Sequence, residues 1–353
     1  MTRTIPPGHL SLAGICEAFA REEAALRARA RALGLSRREF LQALAAGAAA
    51  AALAPAVGSA ARAAESGPPA ALPAKSRVVV VTHPEVIIKE YKVNPPIVKQ
   101  MVDRALAELT GAKTEAEAWR KIGREDDFVA VKYNTMEFPT LHSHTEINDA
   151  VSAQLVAAVK VKAENILAVD RKIPAPYNEL SDLFTLPSNK LETRLRRLYT
   201  EKATAIVNVS VLKAHFGEGL SAALKNHLGS VNNPSEYHGW QPGRMPRNLA
   251  ELNALAPIRT KTRLCIVDAI RPLYAGGPAD DEQYRWEYRA LIVGTDPVAV
   301  SAVGLRILEA KREAALGKPW PMTAAHEMLA FAQKIGLGAA DLDRIDLVEA
   351  KMG

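Results

Sequence analysis

Cysteine is scarce in this sequence, and its scarcity excludes several kinds of site. Only two of the 353 residues are cysteines, Cys16 and Cys265, and Cys265 stands alone in an apolar run. Iron–sulfur clusters and thiolate zinc sites need several cysteine ligands. We therefore expect no iron–sulfur cluster in this chain, and we interpret Cys265 as a small buried hydrophobic residue.

Familiar catalytic motifs are missing as well. No GxGxxG follows the first predicted strand, so dinucleotide binding has little support. The sequence around Ser221 lacks the elbow of a hydrolase nucleophile, and no HExxH motif is present. A candidate site must therefore be found from where polar residues fall in the fold.

The sequence has no long, strongly apolar run, but an alanine-rich run lies near its start. Residues 36–42 read SRREFLQ, and no further charge follows until Arg62. The run is too weakly apolar for a spanning helix of about 20 residues. Paired arginines before such a run, with a small-x-small pattern at residues 61–63, are typical of a twin-arginine export signal. The alternative is an alanine-rich amphipathic helix in a cytoplasmic protein.

We expect residues 1–63 to be a signal peptide with a long leader, residues 64–76 to be a linker, and residues 77–353 to form one α/β domain. The twin-arginine translocation machinery is then a partner of the precursor. The cleaved protein is expected in the periplasm or otherwise outside the inner membrane, without a stable membrane anchor.

Most of the excess positive charge lies in the predicted signal. The whole chain carries a net charge of +6. Residues 1–63 hold eight Lys/Arg and four Asp/Glu, so the remainder has 37 basic and 35 acidic residues and a net charge of +2. Because no arginine stripe with interleaved aromatic residues is present, we expect no nucleic-acid partner.

Apolar runs alternate with helical patterns from residue 77 onward. Continuous apolar runs are typical of strands that are buried on both faces. The alternation predicts an α/β fold with a mainly parallel sheet, helices on both faces and a single core. The predicted strands are residues 77–82, 128–133, 165–169, 204–212, 263–267 and 290–293, and the predicted helices are residues 96–109, 147–161, 191–199, 297–308, 322–334 and 339–344.

Polar residues follow the predicted strands. Ligands of open α/β sheets bind beyond the carboxyl ends of the strands. We therefore expect Lys132, Asn134, Asp268 and Asp296 to help hold a ligand or cofactor in one crevice. The alternative for Asp296 is a helix N-cap, because Pro297 follows it and begins a helical pattern.

The densest polar stretch spans residues 213–229. A strand, a glycine-containing turn and a helix are expected in that order, which brings Lys213 and His215 to a helix amino terminus, where an anion is favoured. We predict that Lys213, His215 and Lys225 bind or protonate a small anionic ligand or substrate. The alternative for Lys225 is a position on the solvent face of the helix.

Histidines fall in two patches. His142 and His144 form one, and His215, His227 and His238 belong to the other. Imidazole with carboxylate ligands suits a divalent transition metal. We predict that His142, His144 and His215 hold such a metal, and the alternative for the His-x-His pair is a solvated loop.

Three segments carry a family resemblance: VKYN at residues 131–134, LKNHLG at 224–229 and LIVGTDPVAV at 291–300. Together they resemble the family described as domain of unknown function 362. The resemblance covers roughly residues 77–350 and implies an α/β fold and a set of marked positions, among them Asn226 and His227 as cofactor-binding candidates. Some relatives carry a ferredoxin-type domain, which this chain lacks, and the family implies no mechanism.

Two functions from different classes remain open. The first is an exported enzyme, such as one of oxidoreductase type, that holds a metal or small cofactor in the crevice. The second is a non-catalytic exported module that binds a ligand or a partner protein.

Overall fold

The computed structural model describes residues 75–215, 219–237 and 246–353. The predicted signal peptide, most of the predicted linker and His238 lie outside these ranges. Among the described residues, no helix is long and apolar enough to cross a bilayer.

The main helices are α1 (Pro95–Thr110), α2 (Glu115–Ile122), α3 (Thr145–Gln154), α4 (Ala223–Asn226), α5 (Arg247–Ala254), α6 (Ala256–Arg259), α7 (Pro297–Leu316) and α8 (Thr323–Lys334). The strands are β1 (Ser76–Thr82), β2 (Ile87–Lys89), β3 (Lys92–Val93), β4 (Val129–Lys132), β5 (Ile166–Val169), β6 (Leu180–Thr185), β7 (Glu192–Arg196), β8 (Ala205–His215), β9 (Gly219–Ser221), β10 (Thr262–Leu273), β11 (Ala290–Gly294) and β12 (Ile345–Lys351).

The central sheet has the order β12-β1-β11-β10-β8-β4-β5, and β9 pairs with β8. Strand β11 is antiparallel to both of its neighbours, and the other pairs in this row are parallel. The carboxyl ends of β4, β5, β8 and β10 therefore lie side by side. We call this side of the sheet, which is formed by strand ends and not by an outermost strand, the carboxyl edge. The carboxyl end of β11 lies at the opposite edge.

Helices cover both faces of the sheet because its strands are apolar on both faces. Odd residues of β8, such as Val207 and Val209, pack in a cluster with α1, α2 and α3. Even residues, such as Leu212 and Ala214, pack in a second cluster with α5, α7 and α8. A third, smaller cluster lies near β4 and β5. The predicted α/β class, with a mostly parallel sheet and helices on both faces, is confirmed.

Two predicted helices are wrong. Residues 191–199 instead contain β7, in which Thr193 and Leu195 are buried and alternate with the less buried Glu192, Arg194 and Arg196. A π-helical turn then begins at Leu198. Residues 339–344 contain only the 3₁₀ turn Leu342–Arg344. Strand β12, which the sequence pattern missed, follows that turn and pairs with β1 along its whole length.

The expected position of Asp296 is wrong as well. Because β11 runs against its neighbours, Asp296 lies beside the amino end of β1 and not at the carboxyl edge. Its carboxylate caps α7 by accepting hydrogen bonds from the Val298 and Ala299 amides at 2.8 and 3.0 Å. It also accepts from Ser76 Oγ at 2.6 Å and from the Ala339 amide at 2.8 Å. Asp296 is therefore the N-cap of α7 and also binds Ser76 and the Ala339 amide.

Replacing Asp296 by Ala should therefore lower the free energy of unfolding by about 1–2 kcal/mol, since an N-cap carboxylate is lost. Urea unfolding followed by circular dichroism measures the change. Asp346→Ala is the control, because the Asp346 side chain forms an exposed ion pair with Arg77, and its loss should cost less than about 1 kcal/mol. Equal stability of the Asp296 variant and the unchanged protein would contradict a capping role.

Candidate functional site

The polar residues at the carboxyl edge form two groups on opposite faces of the sheet. Side chains alternate along a strand, so Lys213 lies on the face of Val207 and Val209. Asp268 of β10 lies on that same face, since Ile266 and Ile270 belong to the same apolar cluster. Lys132 lies on the other face, because Val129 and Val131 occupy the first. The single crevice expected from the sequence is thus divided by the sheet.

The first group is a fully buried polar network around Lys132. The Lys132 side chain is 0% exposed, and its ammonium donates to Asp170 Oδ1 at 2.7 Å, to the Tyr133 carbonyl at 2.6 Å and to Asn226 Oδ1 at 3.3 Å. Burial raises the pKa of Asp170, but the charge of Lys132 and hydrogen bonds from Lys132 and Thr135 lower it further, below its ordinary value. All three ammonium donors are used, so Lys132 holds protein groups together in this structure.

Asn226 completes the network from the other side. Its amide donates to the Lys132 carbonyl at 3.0 Å, to Asn208 Oδ1 at 2.7 Å and to the Val209 carbonyl at 3.2 Å. Asn208 in turn donates to the Ala223 carbonyl at 2.9 Å. These bonds tie helix α4 to the end of β4 and to the middle of β8.

The spacing of the LKNHLG segment follows from the same network. A Cβ on Gly229 would lie 2.5 Å from Asp170 Oδ1 and 2.7 Å from Lys132 Cε, so only glycine fits over the pair. His227 is 0% exposed, its Nδ1 lies 3.3 Å from Ser230 Oγ, and burial lowers its pKa to about 3. The structure therefore places Asn226 and His227 inside the protein, where they support the chain.

The expected helix after Lys213 and His215 is not formed as predicted. Residues 219–221 return as β9 antiparallel to β8, and Ser221 faces Lys213 in register. Helix α4 has only four residues. A helix amino terminus therefore does not explain an anion site at Lys213.

The loop after β4 is fixed at both ends by carboxylates from neighbouring strands. At its start, Thr135 donates from its amide at 2.9 Å and from its hydroxyl at 2.6 Å to Asp170 Oδ2. At its end, the His144 amide donates to Asp268 Oδ2 at 2.8 Å. Between them, the Ser143 amide donates to the Asn134 carbonyl at 3.0 Å, which closes the loop. Asn134 is thus placed at the neck of this loop.

The loop places the ring of His144 against the buried carboxylate of Asp268. His144 Nδ1 lies 2.6 Å from Asp268 Oδ2, and the two side chains are 8% and 1% exposed. Burial lowers the pKa of His144, but the charge and the hydrogen bond of Asp268 raise it further, above its ordinary value. Burial likewise raises the pKa of Asp268, and His144 outweighs that effect and lowers it.

Lys213 is buried on the same face with a different environment. Its side chain is 2% exposed, and its ammonium donates to the Pro278 carbonyl at 3.3 Å. Burial lowers the pKa of Lys213 to about 8, with opposing contributions from Glu137 and Asp280. Lys225 and Arg171 lower the pKa further, which places these basic groups nearby.

An ion pair between Asp280 and Arg285 connects the surroundings of Lys213 and His144. Arg285 Nη1 lies 3.3 Å from Asp280 Oδ1, and donates to the Thr140 carbonyl at 2.6 Å. The charge of Asp280 raises the pKa of Lys213, and the charge of Arg285 lowers that of His144. Sequence reasoning missed both residues, because they lie inside the long segment between the predicted strands 263–267 and 290–293 and not directly after a strand.

The predicted metal ligands do not converge in this structure. The rings of His142 and His144 are 5.7 Å apart, His142 Nδ1 lies 2.7 Å from the Ser143 carbonyl, and His144 Nδ1 faces Asp268. His215 is buried at the end of β8. Across residues 75–215, 219–237 and 246–353, no three His, Cys, Asp or Glu side chains are grouped so that they could hold a metal ion.

A cavity of about 440 Å³ lies elsewhere, against α7 and α8, and its lining includes Arg306, Glu309 and His326. Helices α7 and α8 cover the face opposite Lys213 and Asp268. This cavity is therefore separate from the Lys213 group.

The family comparison marks the same region. Residues 185–306 match the family model described as Domain of unknown function (DUF362). The match supports the family resemblance and includes Lys213, Asn226, Gly229 and Asp268. No curated protein and no solved structure matches the chain.

Removing one partner of the Lys132–Asp170 pair should be strongly destabilising. Lys132→Met and Asp170→Asn each leave a buried group unpaired and should each lower the free energy of unfolding by about 3–5 kcal/mol. The double variant should cost less than the sum of the two. Urea unfolding measures all three, and the exposed pair Arg197–Glu179 is the control, with an expected coupling of less than about 1 kcal/mol. Additive effects at Lys132 and Asp170 would contradict the pairing.

Proposed function

We propose that this protein binds a small oxyanion, a carboxylate or a phosphate, at the carboxyl edge through Lys213. One observation carries the proposal. The Lys213 ammonium is buried, has three donors, and makes one long hydrogen bond among the described residues. A buried charge without a paired counter-charge is costly. An anionic ligand supplies both the missing acceptors and the missing charge.

The local charges support an anionic ligand. Lys225 and Arg171 are close enough to lower the pKa of Lys213, while Glu137 and Asp280 oppose them. Lys213 thus lies within electrostatic reach of two other basic groups. A charge-assisted hydrogen bond from such a group is short and strong.

Backbone packing supports a preformed site. A Cβ on Gly277 would collide with the Ala214 carbonyl oxygen, so glycine lets the loop approach β8 closely. The next residue, Pro278, then reaches Lys213 with its carbonyl. The loop thus lies directly beside the ammonium.

An anion is better supported than a metal. The sequence-derived metal prediction needs His142, His144 and His215 to share one ion, and the ring of His144 instead contacts Asp268. Lysine and arginine are not metal ligands at neutral pH, whereas both bind oxyanions.

Replacing Lys213 by Met should weaken binding of inorganic sulfate by at least about tenfold, because a charge-assisted hydrogen bond of about 1.5–3 kcal/mol is lost. Isothermal titration calorimetry measures the dissociation constant. Lys261→Met is the matched control: Lys261 is also partly buried, but it donates to the Tyr199 and Thr200 carbonyls at 2.7 and 3.1 Å and lies before β10, at the other edge. Equal affinity of the Lys213 variant and the unchanged protein would contradict the proposal, as would an absence of sulfate binding.

The pH dependence gives a second readout of the same binding. Sulfate keeps its charge while Lys213, with a pKa of about 8, loses its proton as the pH rises. Sulfate affinity should therefore fall as the pH rises through that pKa. Parallel titrations with phosphate and succinate show whether the site prefers a phosphate or a carboxylate.

We also propose that the protein works after export by the twin-arginine pathway. The support is the SRREFLQ segment and the alanine-rich run after it, which lie outside the described residues. Replacing Arg37 and Arg38 together by Lys should keep the protein in the cytoplasm, as measured by immunoblotting of periplasmic and cytoplasmic fractions. Unchanged export of the double variant would contradict the proposal.

A further inference from the structure

We propose that His144 is a general base and acid for the anion bound by Lys213, with Asp268 holding its ring. The inference rests on the proposed function, because it requires an anion at Lys213. It assigns to the His-x-His loop a proton-transfer role in place of the metal role that the sequence suggested.

The first argument is the geometry of the pair. Asp268 Oδ2 contacts both the amide and Nδ1 of His144, at 2.8 and 2.6 Å, so the carboxylate fixes the backbone and the ring together. Asp268 Oδ1 also accepts from the Ile270 amide at 3.1 Å. A buried carboxylate at Nδ1 sets the tautomer and leaves Nε2 to exchange a proton.

The second argument is the accessibility of Nε2. Nε2 has no hydrogen-bond partner among the described residues. It is also not one of the fully buried polar atoms that are left without a partner. The His144 side chain is 8% exposed, so part of the ring is open to solvent.

The third argument is the position of His144 relative to Lys213. Asp268 faces Val211 in register on the neighbouring strand, and Lys213 lies two residues further on the same face. The loop that carries His144 also carries Glu137, which acts on Lys213. The Asp280–Arg285 pair contributes to the electrostatics of both sites. Lys213 and His144 therefore border the same space at the carboxyl edge.

The proposed step moves a single proton. Neutral His144 uses its Nε2 lone pair to accept a proton from a water or from a protonated group of the ligand, and the bonding electrons stay on that donor. The resulting imidazolium is stabilised by Asp268, which remains a carboxylate. His142, Glu146 and Arg285 are the other titratable groups that act on His144. The reverse transfer returns the proton.

The experiment measures how fast diethylpyrocarbonate acylates His144. This reagent reacts only with an imidazole nitrogen that is neutral and accessible. His142→Gln removes the neighbouring histidine from the same peptide, and peptide mass spectrometry reports the rate. The rate should rise with pH around a pKa above the ordinary histidine value. Asp268→Asn should move that midpoint to lower pH, because the carboxylate raises the pKa of His144.

Bound anion should protect His144. At a sulfate concentration about ten times the dissociation constant, the acylation rate should fall by about tenfold. His326 is the internal control: its side chain is 56% exposed and contacts Glu309, and sulfate should not change its rate. In Lys213→Met the protection of His144 should be lost.

The outcomes separate the two proposals. If sulfate binds through Lys213 but His144 is unreactive or is not protected, the general-base role is overturned and the anion site stands. A midpoint unchanged by Asp268→Asn also overturns it. If sulfate does not bind at all, the anion site itself is overturned.

Discussion

The buried contact between Lys132 and Asp170 is the constraint on which the carboxyl edge depends. An ammonium that is 0% exposed needs a counter-charge and acceptors for three donors, and each of these comes from a different part of the chain. Asp170 directly follows β5, the Tyr133 carbonyl directly follows β4, and Asn226 belongs to α4. Satisfying one charge therefore fixes three segments at once.

The candidate site is built outward from that constraint. The remaining oxygen of Asp170 binds Thr135 and so fixes the start of the loop whose end delivers His144 to Asp268. Two buried carboxylates thus hold a single loop across the carboxyl edge. Among the described residues, Lys213 differs from Lys132 in having no such set of partners. The contrast between these two buried lysines is the basis on which we propose a structural role for Lys132 and a binding role for Lys213.

The sequence predicted the fold class because strands buried on both faces give continuous apolar runs, and six such runs were recognisable. It failed at residues 191–199, where leucines at helical spacing belong to an alternating strand and a short turn. The sequence also did not reveal that β11 is antiparallel to its neighbours, because an apolar run has the same pattern in both directions. Asp296 was therefore assigned to the wrong edge, although Pro297 after it correctly indicated an N-cap.

The candidate site was only partly predictable for a related reason. Lys132, Lys213 and Asp268 were found because they end apolar runs, but their surroundings depend on distant residues. Asp170 is 38 residues from Lys132, and Asp268 is 124 residues from His144. No local pattern reveals whether a lysine meets a carboxylate over such separations. The metal site predicted at His142 and His144 has no geometric support in the structure, because the ring of His144 contacts the carboxylate of Asp268 on β10.

The position of β1 in the sheet has a consequence for synthesis. Its two neighbours are β11 and β12, which come from the last part of the chain. While the ribosome is still making the protein, β1 therefore has both of its hydrogen-bonding edges exposed, and exposed edges invite pairing with other chains. The central sheet cannot be completed until β12, which lies far along the chain from β1, has left the ribosome.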